Sequence, residues 1–178
     1  MAHAKHAALT TLFVSAVVAL CPLTARAQSG PWTSVGSAGT VDETDLGIVV
    51  FNQGIASISA GAAVGASLDI RYNVVAVDGV FGGDGLALAG RFRDAGAAER
   101  VILRLKSYSF ATGLTQTLLT LDSNTFPASA AFQTRSVGAC GLGLDFLKNA
   151  YFVEAQLIKS GAGGVPQLGA LQVGFTFC

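Results

Sequence analysis

Carboxylates are the side chains with which this chain would perform acid–base chemistry. Both histidines, His3 and His6, lie in an N-terminal segment with the pattern of a cleaved leader, so the predicted mature chain contains none. This excludes Ser-His-Asp and Cys-His catalysis and imidazole metal sites. Glycoside hydrolysis needs only two carboxylates, and the candidates are Asp69, Asp78, Asp84, Asp94, Asp122, Asp145 and Glu154. Their spacing predicts no pair on a common face, so we assign no catalytic residue and do not expect an enzyme.

Two of these carboxylates, Asp78 and Asp84, lie close together in a glycine-rich segment, Asp78-Gly-Val-Phe-Gly-Gly-Asp-Gly85, that we predict to be a loop. Asp78 and Asp84, together with backbone carbonyls, offer the oxygen ligands that Ca²⁺ prefers. The segment lacks the regular acidic spacing and the distal Glu of a dedicated calcium loop. A tight turn is therefore the main prediction, calcium at Asp78 and Asp84 is the weaker alternative, and no other cofactor is expected.

Basic side chains recur at alternate positions on segments that the pattern predicts to be neighbouring strands. If residues 94–99 form a hairpin loop, Phe92 lies opposite Val101 and the basic residues of both strands project from the other face. A second turn at residues 111–113 would place Leu105 opposite Leu119 and Tyr108 opposite Gln116. The two registers agree about which face is apolar.

These registers define a candidate basic binding face, and five of the nine basic residues of the predicted mature chain lie on it. Its members are Arg91, Arg93, Arg100, Arg104, Lys106, Tyr108 and Gln116. Such a face suits an anionic partner, for example an acidic glycan or a surface protein. The alternative is a solvated face that Asp94, Glu99 and Asp122 partly neutralise and whose cations guard the sheet against edge pairing.

Cys140 and Cys178 are the two cysteines of the predicted mature chain. An even number of cysteines in an exported protein predicts a disulfide. Such a bond would anchor a C-terminal segment that otherwise frays.

Residues 1–27 have the pattern of a secretory signal peptide. Lys5 begins a short positive region, residues 7–20 are apolar, and Ala25-Arg-Ala27 is an A-x-A cleavage signal. The apolar run is too short for an ordinary membrane span. We therefore expect export to the periplasm or the extracellular space, with residues 28–178 forming one domain. The nine basic and eleven acidic residues that remain argue against nucleic acid as a partner.

Short apolar runs separated by Gly, Asn, Asp and Ser predict an all-β fold. The predicted strands are residues 46–52, 55–59, 66–77, 86–94, 100–110, 114–122, 132–137, 150–159 and 171–177, with Trp32–Val35 as an added edge strand. Leu68, Ile70, Tyr72 and Val74 alternate with polar residues, as in an antiparallel sheet with one face in water. The first choice is an antiparallel β-sandwich, of which a jelly roll is one form.

An eight-stranded outer-membrane β-barrel is the alternative fold, and only in that case would a membrane be the partner. The number of main strands and the alternating end at residues 171–177 favour it. Cys178 after the last Phe, and too few Trp and Tyr residues for two aromatic girdles, argue against it.

The absence of a catalytic constellation gives the first hypothesis for function. It is an exported, non-catalytic β-sandwich module that binds a glycan or a protein partner, or that forms part of a surface structure. Residues 120–124 and 149–154 resemble segments of bacterial secreted β-proteins, a resemblance that implies no activity and no site residues. The second hypothesis is a small outer-membrane barrel, and the third is a carboxylate-dependent, glycan-active enzyme.

Overall fold

The computed structural model describes residues 30–76, 84–176 and 178, which form a two-layer arrangement of β-strands. The strands are β1 Trp32–Val35, β2 Thr40–Val41, β3 Val49–Asn52, β4 Ile55–Ile58, β5 Ser67–Val74, β6 Gly85–Asp94, β7 Glu99–Ser109, β8 Thr115–Asp122, β9 Ser129–Cys140, β10 Asn149–Lys159 and β11 Gln167–Phe175. Short 3-10 turns cover Gly36–Ala38, Glu43–Asp45 and Ser123–Thr125. The predicted leader, residues 1–27, and Asp78 lie outside the described residues.

In the described part of the chain, the strands form two antiparallel sheets. Sheet 1 has the order β3-β4-β11-β6-β9, with β1 also paired to β11, and sheet 2 has the order β2-β5-β10-β7-β8. Neither sheet closes on itself over these residues, so the predicted sandwich is confirmed and the barrel alternative is wrong. The reason is that the apolar sides of both sheets pack against each other, whereas a membrane barrel turns its apolar side outward.

Alternation of buried and exposed residues along strands such as β5 positions the core. On β5, Leu68, Ile70, Tyr72 and Val74 are buried, and the residues between them are partly or fully exposed. Burying each large apolar side chain contributes about 1.5–3 kcal/mol to folding. A one-residue slip would exchange the two sets, so the alternation fixes which face of each strand looks outward.

The predicted apolar face of the segments 86–122 is confirmed, because Phe92, Leu103, Leu105 and Leu119 are all buried. The predicted hairpin between β6 and β7 is wrong. β6 pairs with β11 and β9 in sheet 1, whereas β7 pairs with β10 and β8 in sheet 2. Residues 95–98 therefore carry the chain from one layer to the other.

The register between β7 and β8 departs from the prediction at its far end. Leu105 lies opposite Leu119 as predicted, but a bulge follows between Leu105 and Lys106. Tyr108 therefore lies opposite Thr115, and Gln116 lies opposite Ser107. Ser107 is a buried residue of the inner face, so Gln116 does not share the outer face with Tyr108.

The predicted disulfide is present. Cys140, at the end of β9, is bonded to Cys178, with the two Cα atoms 5.9 Å apart. The bond ties the segment that follows β11 to the edge strand of sheet 1. Over the described residues, no helix has the length and apolar character needed to cross a membrane.

Candidate functional site

The outer face of sheet 2 brings together aromatic and polar side chains from neighbouring strands. On β10, Phe152 lies opposite Asn73 of β5 on one side and Lys106 of β7 on the other. Two positions further along β10, Glu154 lies in the same way between Arg71 and Arg104. Directly opposed residues on one sheet face are close enough for their side chains to interact.

These opposed residues border an open depression of about 580 Å³, which we call the sheet 2 depression. Its lining residues are Arg71, Asn73, Lys106, Tyr108, Thr115, Phe152 and Glu154. Tyr108, the penultimate residue of β7, is 42% exposed. The depression thus combines two aromatic side chains with charged and neutral hydrogen-bonding side chains on one sheet face.

Glu154 is the centre of a hydrogen-bonded network across the outer face of sheet 2. Its Oε1 accepts from Arg104 Nη1 at 3.2 Å, and its Oε2 accepts from Lys106 Nζ at 2.7 Å. Arg104 Nη2 also donates to Gln156 Oε1 at 3.1 Å, and Gln156 Nε2 donates to Ser67 Oγ at 3.1 Å. The network links β7, β10 and β5 and fixes the side chains that border the depression.

The pKa of Glu154 reflects two opposed influences. Burial favours the neutral acid and acts to raise the pKa. The hydrogen bond from Lys106 and the charges of Lys106 and Arg104 together outweigh burial and hold the pKa below its usual value. Glu154 is therefore an ion-paired carboxylate, and each of its oxygens accepts one hydrogen bond from a cation.

The remaining cations of this face are paired as well. Arg71 Nη2 lies 3.3 Å from Asp42 Oδ2. Arg100 makes a two-pronged contact with Asp122, through Nε at 3.1 Å and Nη2 at 2.5 Å. The hydrogen bond from Arg100 holds the pKa of Asp122 below its usual value.

Asp69 lies on the same face as Glu154, because it is opposite Gln156, the next residue of β10 on that face. Burial raises the pKa of Asp69, and the negative charges of Glu154 and Asp45 raise it further. The structure therefore brings three of the candidate carboxylates, Asp69, Asp122 and Glu154, onto one face, which the sequence spacing did not predict. Glu154 is ion-paired with Arg104 and Lys106, and Asp122 is ion-paired with Arg100.

The structure divides the predicted basic face between the two layers. Arg100, Arg104, Lys106 and Tyr108 lie on the outer face of sheet 2, whereas Arg91 and Arg93 lie on the outer face of sheet 1. A single face with five cations is therefore wrong. Alternation specifies which side of a strand faces water, but not which strand is its neighbour.

On sheet 1, the two arginines have structural partners. The Arg91 guanidinium lies 5.5 Å from the centre of the Phe132 ring. Arg93 Nη2 donates to Glu99 Oε1 at 3.3 Å. Glu99 is 3% exposed and also accepts from the backbone N–H groups of Ala95 and Val165, so it fixes the crossover between layers.

The calcium alternative stays a prediction, because Asp78 lies outside the described residues. Asp84 is exposed, and its backbone carbonyl accepts from the Gly141 N–H at 2.8 Å. Over the described residues, no cluster of three or more acidic, histidine or cysteine side chains is placed to hold a metal ion.

No protein family model matches the chain, and no curated protein matches it. A family two carbohydrate esterase from Cellvibrio japonicus is 12% identical with a TM-score of 0.40, over 80% of this chain and 33% of that one. A CBM22-1 xylan-binding domain from Paenibacillus barcinonensis is 10% identical with a TM-score of 0.41, over 84% of this chain and 97% of that one. The xylan-binding module CBM15 is 10% identical with a TM-score of 0.40, over 83% of this chain and 91% of that one. The chain thus spans a third of the esterase structure.

Proposed function

We propose that this protein is an exported, non-catalytic β-sandwich module that binds a glycan in the sheet 2 depression. The observation that carries the proposal is the meeting of two aromatic side chains, Tyr108 and Phe152, with polar side chains of four adjacent strands. A pyranose ring presents an apolar face of C–H groups and a rim of hydroxyls. The aromatic rings of the depression suit the C–H face, and its polar side chains suit the hydroxyls.

The aromatic residues would take the apolar face of a sugar. Tyr108 is exposed on β7, and Phe152 is half-buried in the central strand β10. Rings held in this way provide contact area at a low cost in conformational entropy, since each has only two rotatable side-chain bonds.

The polar lining would take the hydroxyls. Asn73 and Thr115 offer neutral hydrogen-bonding groups, and Lys106 and Glu154 offer a charged donor and acceptor that are already oriented by their mutual bond. Groups fixed before the ligand arrives lose little freedom on binding.

Two further features support the non-catalytic and exported parts of the proposal. The Glu154 carboxylate is bound by Arg104 and Lys106, which favours a role in binding over proton transfer. A disulfide between Cys140 and Cys178 suits an oxidising compartment, in agreement with the predicted leader.

Native affinity electrophoresis in gels containing soluble polysaccharides tests the proposal, with calorimetry for any polysaccharide that retards the protein. Tyr108→Ala and Phe152→Ala should each weaken binding by about tenfold or more, as expected when a central aromatic contact is truncated. Phe51→Ala is the matched control, because Phe51 is equally exposed at 42% but lies on β3 of sheet 1.

The proposal is overturned if no polysaccharide in a broad panel retards the folded protein. It is also overturned if Phe51→Ala weakens binding as much as Tyr108→Ala does. Release of reducing ends from a bound polysaccharide would show that the module is an enzyme.

A further inference from the structure

We infer that the sheet 2 depression selects uncharged glycans over anionic ones, and that Glu154 sets this selectivity. The inference rests on the proposed function, since it names the class of ligand for the same site. It replaces the anionic partner that the sequence predicts.

The cations on the outer face of sheet 2 are balanced by acidic side chains. Among the described residues, its cations are Arg71, Arg100, Arg104 and Lys106, and each has a carboxylate oxygen within 3.3 Å. The carboxylates are Asp42, Asp122 and Glu154, with Asp69 as a fourth acidic group on the face. Asp45, which accepts from the Asp69 backbone N–H at 3.0 Å, adds a fifth acidic group, so the four cations leave no surplus positive charge on this face to attract an anion.

The position of Glu154 inside the depression also disfavours an anionic ligand. Glu154 lies on the central strand β10 and lines the depression together with Lys106, whose ammonium it binds. A sugar carboxylate or sulfate that approached Lys106 would meet the negative charge of Glu154 at short range.

A hydroxyl group avoids this conflict. A hydroxyl carries no net charge, and it can donate to the Glu154 carboxylate while accepting from the Lys106 ammonium. The ion pair therefore stays intact while an uncharged sugar binds to both of its members. The anionic group of an acidic sugar can only accept hydrogen bonds, so it is repelled by Glu154.

The test compares the wild-type protein with Glu154→Gln, which removes the negative charge and keeps the shape of the side chain. The probes are galactomannan and mixed-linkage β-glucan as neutral polysaccharides, and polygalacturonate and dextran sulfate as anionic ones. Unsubstituted dextran is the neutral counterpart of dextran sulfate. Glu154→Gln should bind the anionic probes about tenfold more tightly than the wild type does, because Arg104 and Lys106 lose their counter-charge. High salt should abolish the gain.

Asp122→Asn is the matched control for this substitution. It removes one negative charge from the same face, but its partner Arg100 is not among the described residues that line the depression. Its affinity for the anionic probes should change by about twofold or less, as for a charge at the margin of a site. Circular dichroism and thermal unfolding establish that each variant is folded.

The outcomes separate the inference from the proposed function. Wild-type binding to polygalacturonate or dextran sulfate as tight as to any neutral probe would overturn the inference and leave glycan binding standing. The inference would also be overturned if the wild type binds a neutral probe but Glu154→Gln shows no gain in affinity for the anionic probes. It would be overturned as well if Asp122→Asn shows an equal gain. If the wild type binds no polysaccharide but Glu154→Gln binds the anionic probes, the electrostatic role of Glu154 is supported and the proposed function fails.

Discussion

At the scale of single residues, Asp69 and Asp122 are two carboxylates on one sheet face with opposite electrostatic surroundings. Burial and neighbouring acids raise the pKa of Asp69, so folding opposes its ionisation. The hydrogen bond from Arg100 lowers the pKa of Asp122, so folding favours its ionisation. Ionisation of Asp69 therefore lowers the free energy of unfolding as the pH rises past the unfolded pKa of Asp69. Ionised Asp122 raises the free energy of unfolding, and this contribution is lost as the pH falls through the folded pKa of Asp122.

Asp69→Asn should therefore raise the melting temperature at neutral pH by roughly 1–3 °C, since the amide carries no charge to desolvate. Asp122→Asn should lower it by a similar amount, because Arg100 loses its charged partner. Both differences should shrink in acid, where the wild-type carboxyls are protonated. Melting curves recorded from acid to neutral pH check this, and shifts of the same sign in both variants would contradict it.

The residues of the site were predictable only in part. Lys106 and Tyr108 follow from the alternation of β7 alone, and both line the depression. Phe152, Asn73 and Glu154 also alternate correctly on their own strands, but nothing in the sequence states that β5, β10 and β7 are neighbours. A site assembled across strands that are distant in the chain depends on strand order, which periodicity does not encode.

At the scale of elements, the pair β6 and β7 shows where sequence reasoning stops. A loop at residues 95–98 is short enough for a hairpin, yet it spans the two layers instead. Phe92 and Leu103 point to the interior in either arrangement, so the apolar pattern is the same for both. Gly90 and Leu103 face each other across the sandwich, where a Cβ atom on Gly90 would overlap the Leu103 side chain.

The turn after β1 makes a sharper prediction about packing. A Cβ atom on Gly36 would overlap the backbone carbonyl of Leu168 on β11, and the Gly36 carbonyl accepts a hydrogen bond from the buried Tyr72 hydroxyl at 2.6 Å. Backbone atoms cannot move aside as a side chain does, so Gly36→Ala should lower the free energy of unfolding by about 3 kcal/mol or more.

Gly47→Ala is the control for this prediction, because no described atom lies within 4 Å of a Cβ placed there. It should change the free energy of unfolding by about 0.5 kcal/mol or less. Urea unfolding measures both values. Equal stabilities of the two variants would mean that the turn at Gly36 does not pack against β11 as described.

At the scale of the whole molecule, the disulfide joins the last strand of one layer to the far edge of that layer. Cys140 ends β9 at the edge of sheet 1, and Cys178 follows β11, which lies two strands away across β6. The sequence predicted this bond from cysteine number and compartment alone. The loop that it closes contains β10 of sheet 2 and β11 of sheet 1, so the bond restrains a segment that contributes a strand to each layer.

Reduction should therefore destabilise the protein without changing its fold. Closing 38 residues of chain restricts the unfolded state by about 3–4 kcal/mol on the chain-entropy model. A reductant should lower the urea midpoint of the wild type accordingly, and intact mass should rise by two hydrogens on reduction. The Cys140→Ser, Cys178→Ser double variant should match the reduced wild type and should not respond to reductant. Two thiols that alkylate freely in the unfolded, unreduced protein would contradict the bond.

If galactomannan or β-glucan binds the wild type, the double variant should bind it with unchanged affinity, because the depression lies on the opposite sheet from the bond.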